Sequence, residues 1–124
     1  MSVIGEKLLD YTGTVTSNTV SAAGGEANVE VGEAGPYGTV VATVAFQPAV
    51  DSAGETGPFT GRVQDFRPDG SVVPQVLTGV WHRSGTHQWE VKGINLAADG
   101  ERFFFVEQWD LATRSMKGTI YNLD

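Results

Sequence analysis

Residues 59–83 read FTGRVQDFRPDGSVVPQVLTGVWHR, and Pro68-Asp69-Gly70 at their centre decides how they fold. Proline pre-sets the first corner of a turn, and glycine accepts the left-handed position that closes it. The triplet therefore predicts a three-residue loop between two antiparallel strands. That loop pairs Arg62 with Val76 and Gln64 with Pro74. A proline inside a strand marks an edge, a bulge or a barrel irregularity.

Downstream the same design repeats. HQWEVKGINL (87–96), ERFFFVEQW (101–109) and RSMKGTIYNL (114–123) read as strands, separated by the turns SGT, AADG and DLAT. Upstream, TVVATVAFQ (39–47) is rich in β-branched residues and ANVEV (27–31) alternates. A first strand is expected near 8–20, although IGEKLLDY could make about two helical turns. Residues 48–58 form a long loop, a candidate lid or rim. About eight strands joined mostly by tight turns predict one all-β domain over 1–124, an eight-stranded antiparallel up-and-down barrel.

The composition narrows the partners. The 124 residues carry a net charge of −7, and Lys7 alone faces seven acids in the first 61 residues. All five arginines lie in the second half. An acidic chain without a basic stripe points away from nucleic acid and anionic membrane. There is no cysteine. No leader-like start and no apolar run of the roughly 18 residues that a span needs are seen, so the expected location is cytoplasmic. P-loop, G-x-G-x-x-G, G-x-S-x-G and H-E-x-x-H motifs are absent, and no cofactor is expected.

Turn lengths also propose which residues face one another. With four-residue loops at 97–100 and 110–113, Glu90 faces Glu107, Ile94 faces Phe103, Trp109 faces Arg114 and Phe105 lies over Gly118. One face then holds Glu90, Lys92, Phe103, Phe105, Glu107, Trp109, Arg114 and Met116. It is taken as the interior because Met116, Gly118 and Ile120 share it. The outer face would show Trp89, Val91, Phe104 and Val106, an apolar patch that suggests a homo-oligomer, a dimer or trimer.

Two carboxyls opposed inside a barrel cannot both ionise freely. One holds a proton or is balanced by Arg114 or Lys92, which is the arrangement of a general acid beside a base. Glu90 and Glu107 are thus the candidate catalytic pair, with Arg114 tuning them. A partly exposed barrel end with both charges balanced is the plainer alternative. His82, beside Glu90, is a further catalytic candidate. The turn at 84–86 leaves its register open: a three-residue loop sets His82 opposite Gln88, a two-residue loop opposite Trp89. His82 and His87 would need further ligands to hold zinc, and no metal site is expected. Phe103, Phe105, Trp109 and Met116 would form an apolar ligand wall, with Arg62 and Gln64 as polar ligand contacts.

The segment TGPFTGRV (56–63) resembles the T-G-x-F-x-G-x-x-G segment of the allene oxide cyclase and dirigent barrels, with Gln64 in place of the last glycine. GPYGTVVATV (35–44) is similar to a Gly-Pro-Tyr strand of the cyclases. The resemblance covers about 18 residues and implies a calycin-like barrel with an apolar cavity, often dimeric or trimeric, that guides or cyclises an apolar intermediate without metal. No catalytic motif of those families aligns. The functional expectation is acid/base-assisted isomerisation, cyclisation or lyase chemistry on a small, mostly apolar molecule. The alternatives are a non-catalytic, lipocalin-like ligand carrier or an oligomeric structural barrel.

Overall fold

A computed structural model describes residues 3–123. Eight antiparallel strands close into a barrel in chain order: β1 (Ile4–Ser21), β2 (Gly24–Val31), β3 (Thr39–Phe46), β4 (Thr56–Phe66), β5 (Val72–Gly85), β6 (Gln88–Ala97), β7 (Arg102–Asp110) and β8 (Ser115–Leu123). A single 3-10 turn, Gly35–Tyr37, joins β2 to β3. Among the described residues no helix is long and apolar enough to cross a membrane.

Closure depends on β1. Its first part, from Ile4 to Thr14, pairs with β8, and its second, from Thr14 to Ser21, pairs with β2. Register shifts at Ile4/Lys7, Lys7/Leu9 and Val15/Ser17 let this long strand bend around the barrel. IGEKLLDY is therefore strand and not helix. Pairing with β8, more than a hundred residues away, overrides its local helical preference.

Alternation fills the interior. Val15, Ala27, Val29, Val44, Phe59, Val91, Phe105 and Trp109 are buried. The β4–β5 loop has the expected length, and Arg62 pairs with Val76 and Gln64 with Pro74. Pro74 lies just before the first pair of the β5–β6 ladder, Gln75 with Ala97, so no β6 partner lacks its N–H.

Two other registers differ from expectation. The β6–β7 loop is one residue shorter than AADG suggests, because Ala97 N donates to Glu101 O at 2.9 Å and Leu96 pairs with Arg102. A slip of one turns a strand inside out. Trp89, Val91 and Asn95 consequently point inward and Glu90, Lys92, Ile94 and Leu96 outward. The β7–β8 pairing is displaced by two, which keeps every face: Trp109 meets Met116 and Glu107 meets Gly118. The ring over Gly118 is that of Tyr11, whose Oη would lie 2.7 Å from an added Cβ. Phe105 covers Gly93 instead.

The outer surface changes accordingly. Phe104 and Val106 do face outward, but Trp89 and Val91 do not. Val72, Val76, Val80, Ile94 and Leu96 are the large exposed apolar side chains of β5 and β6.

Candidate functional site

A cavity of about 90 Å³, partly open to solvent, occupies the barrel on the side where β4 ends and β7 begins. Phe103, Phe105, Trp109 and Met116 line it, together with Val63, Leu77 and Ile120. The four residues expected to form an apolar wall thus share one space, because β7 and β8 kept their faces.

Glu107 also lines this cavity. Tyr11 Oη donates to its Oε2 at 2.6 Å, and Trp109 Nε1 donates to its Oε1 at 3.0 Å. Among the described residues no cation pairs with it. Burial raises the Glu107 carboxyl above the ordinary carboxylate range, and the bonds from Tyr11 and Trp109 offset only part of that rise. The Tyr11 hydroxyl is pushed well up by its own burial and by the neighbouring carboxylate, so it remains a donor. Each oxygen of Glu107 receives one bond and has a second lone-pair direction.

Glu90 is not its partner. The residue opposite Glu107 on β6 is Val91. Glu90 lies on the outer face, where Gln108 Nε2 donates to it at 3.0 Å and Lys92 Nζ sits at 3.1 Å. The Lys92 ammonium holds its carboxyl below the ordinary range. The expected carboxyl pair is therefore replaced by one inward and one outward acid.

His82 does pair with Glu90, but both are outside. The turn that sets this register is neither of those considered. Gly85 pairs with Gln88 around Thr86-His87, His87 takes φ 58°, and Ser84 is bulged out. Trp81 and Trp89 point inward as a result. Arg114 sits in the β7–β8 loop with φ 59°, exposed, its carbonyl accepting from Val15 N. It cannot tune Glu107 from there. Arg62 and Gln64 are exposed on the outer face of β4, while Val63 and Asp65 take the inward places. Phe59, Val63 and their alternation with polar even-numbered residues carry that parity in the sequence.

Four interior polar groups were not foreseen from the sequence: Tyr11, Asp65, Gln75 and Asn95, all lining the cavity. Asp65 is only 2 % exposed, and Arg67 Nη2 lies 3.2 Å from its Oδ2. Burial raises its carboxyl; Arg67 and a bond from Gln75 hold that rise back. Arg67 also reaches Glu101 at 2.9 Å and Asp99 at 3.1 Å, and it stands over the Tyr37 ring at 5.5 Å. It thus straps β4 to the β6–β7 loop across this end of the barrel. Asn95 Oδ1 is buried without a hydrogen-bond partner among the described residues. Tyr11 could have been suspected from the odd-numbered alternation Leu9, Tyr11, Gly13, Val15, whereas its partner could not, being 96 residues away.

No family model, no curated protein and no solved structure matches this chain.

Proposed function

We propose that the barrel binds one small, mostly apolar molecule in this cavity and that Glu107 transfers a proton to or from it, in an isomerisation, cyclisation or lyase step. The observation that carries this reading is a cavity-lining carboxyl held by two neutral donors and, among the described residues, by no cation. A structural acid is usually paired with a cation, as Asp65 is. Glu107 is raised by burial with no cation beside it to oppose the rise, which brings it toward the range where a carboxyl both gives and takes protons. Tyr11 and Trp109 stabilise the ionised form, so the proton can leave. The apolar wall of Phe103, Phe105 and Met116 offers the ligand a surface poor in polar groups beside that carboxyl.

The chemistry needs little. Glu107 as carboxylate removes a proton from a carbon next to a carbonyl. The same carboxyl, now protonated, returns it at another position or releases it to a leaving group. Tyr11 stays a donor throughout. Arg114, His82 and Glu90 have no place in this step.

The test uses small enolisable ketones, with wild type and Glu107→Gln compared in D2O by NMR. Chemical-shift changes report binding, and loss of C–H signal reports exchange. Binding to both forms, with exchange accelerated by wild type alone, is expected. Equal exchange in both forms would sink the proposal. Binding without exchange in either would leave a carrier, the reading that an apolar wall alone supports.

A further inference from the structure

The opposite end of the barrel holds a second and larger space. It measures about 350 Å³ and is lined by Phe46, Pro48, Trp81, Trp89, Trp109 and Leu111 among others. All three tryptophans of the chain meet there. Ligand pockets generally run about 300–1,000 Å³, and this space falls within that range.

Its walls are fixed. Phe46 packs edge-on against Trp109, with centroids 5.2 Å apart and planes at 88°. Trp81 Nε1 donates to Gln47 O at 3.0 Å. The loop that continues from Pro48 is tied by Asp51, whose Oδ1 accepts from Glu55 N at 2.9 Å and Thr56 N at 3.0 Å. Of the stretch expected to be a lid or rim, Pro48 lines this mouth, and these bonds tie down the turn beyond it.

Two features point to an occupant. The indole N–H groups of Trp81 and Trp109 are spent on Gln47 and Glu107, whereas that of Trp89 makes no hydrogen bond among the described residues and is not buried, so a ligand there would replace solvent. Gly25 follows the inward alternation of Ala27 and Val29, yet a Cβ built on it would meet nothing nearer than Thr19 O at 3.8 Å. A larger residue there would fill the pocket without backbone strain; glycine leaves it open.

We propose that the tryptophan end binds an uncharged planar molecule of about two fused rings carrying a hydrogen-bond acceptor, the rings against the indoles and the acceptor toward Trp89 Nε1. Among the described residues no cation lines the pocket and the one carboxylate, Glu26, is exposed, so nothing in this lining favours an anion. Aromatic rings gain from contact with indole faces and edges beyond the area they bury. This site is separate from the Glu107 cavity, and Trp109 is the wall common to both.

Tryptophan emission reports directly, since every indole lines the pocket. The probes are 2-acetylnaphthalene, which has an acceptor, and naphthalene, which does not. Saturable quenching of wild type is expected, tighter for the ketone. Gly25→Leu should weaken both probes at least about ten-fold while keeping the thermal transition, because the added side chain takes the space of several methylenes. Trp89→Phe should cost the ketone about five-fold and naphthalene less, the loss of one hydrogen bond. Quenching that never saturates, or that Gly25→Leu leaves unchanged in a folded protein, overturns the proposal. Should Gly25→Leu fail to fold, equal affinity of the two probes for wild type and Trp89→Phe overturns it instead.

Discussion

Asp65 and Glu107 line the same cavity and both are raised by burial, yet they are balanced in different ways. Asp65 has a guanidinium at 3.2 Å and an amide, Gln75, beside it. Glu107 has a phenol at 2.6 Å and an indole at 3.0 Å. A cation beside a buried carboxylate fixes its charge, and the pair then acts as a strap. Neutral donors satisfy the oxygens without fixing the proton count. One inner acid is thus half of an ion pair, and the other, held by neutral donors, is the one proposed to exchange a proton; the contrast can be tested from either side.

The largest effect is expected from Arg67→Met. It leaves Asp65 buried without its cation, and breaking a buried pair in this way costs about 3–5 kcal/mol. The bonds to the more exposed Asp99 and Glu101 add little, about 0.5 kcal/mol each. Urea unfolding at pH 7 measures the loss, and adding Asp65→Asn should recover most of it. A loss under about 1 kcal/mol would mean that Asp65 is not held as a buried charge, and the contrast with Glu107 would fall.

Tyr11→Phe should come next, at about 1–3 kcal/mol, the cost of leaving a buried acceptor short of a donor. Its second readout is sharper. The Tyr11 bond lowers the Glu107 carboxyl, so removing it should raise the Glu107 titration midpoint further. Carbon-detected NMR would follow it. An unmoved midpoint would show that the phenol does not stabilise the ionised form, and the proton-transfer role would lose its donor.

The sequence carried the barrel but not the pairing inside it, and two hairpins show why. Arg67–Ser71 and Ala97–Glu101 are the same turn: Gly70 N and Gly100 N each donate to the residue three before at 3.0 Å, and both glycines are left-handed, at φ 90° and 92°. Asp69 and Asp99 also brace them alike, each accepting from the backbone N–H two residues on. Read as three-residue loops, both give the observed registers. Counting Ala97 into the second loop slides β6 by one residue, and a period of two makes that slip carry Glu90 inside and Trp89 out. The β7–β8 slip was larger but even, so Phe103, Phe105, Glu107, Trp109 and Met116 stayed on the interior face. Local pattern could not supply Tyr11 beside Glu107, because barrel closure brings the first strand to the last. Asp65 was within reach: Phe59 and Val63 already marked the odd-numbered residues of β4 as core.

Glu107→Gln should perturb the fold least of the three and separates the two acids most directly. Trp109 Nε1 can still donate to the amide oxygen, and the Tyr11 hydroxyl can turn to accept from the amide nitrogen, so at low pH the change should stay within about 1 kcal/mol. The pH dependence carries the information. Glu107 titrates higher folded than unfolded, where 4.5 is its ordinary value. Between the two midpoints the native state binds more protons than the unfolded chain, so stability falls as pH rises through that window. Its contribution is therefore fully present below 4.5 and lost as pH climbs past the raised folded midpoint. Glutamine does not titrate. The variant should consequently gain on wild type as pH increases through the window and hold a constant lead above it. Thermal or urea unfolding across a pH series, wild type against variant, reads this difference directly. A lead that stays flat through the window, or that shrinks as pH rises, would show that folding does not raise the Glu107 carboxyl, and the proposed proton transfer would lose its basis.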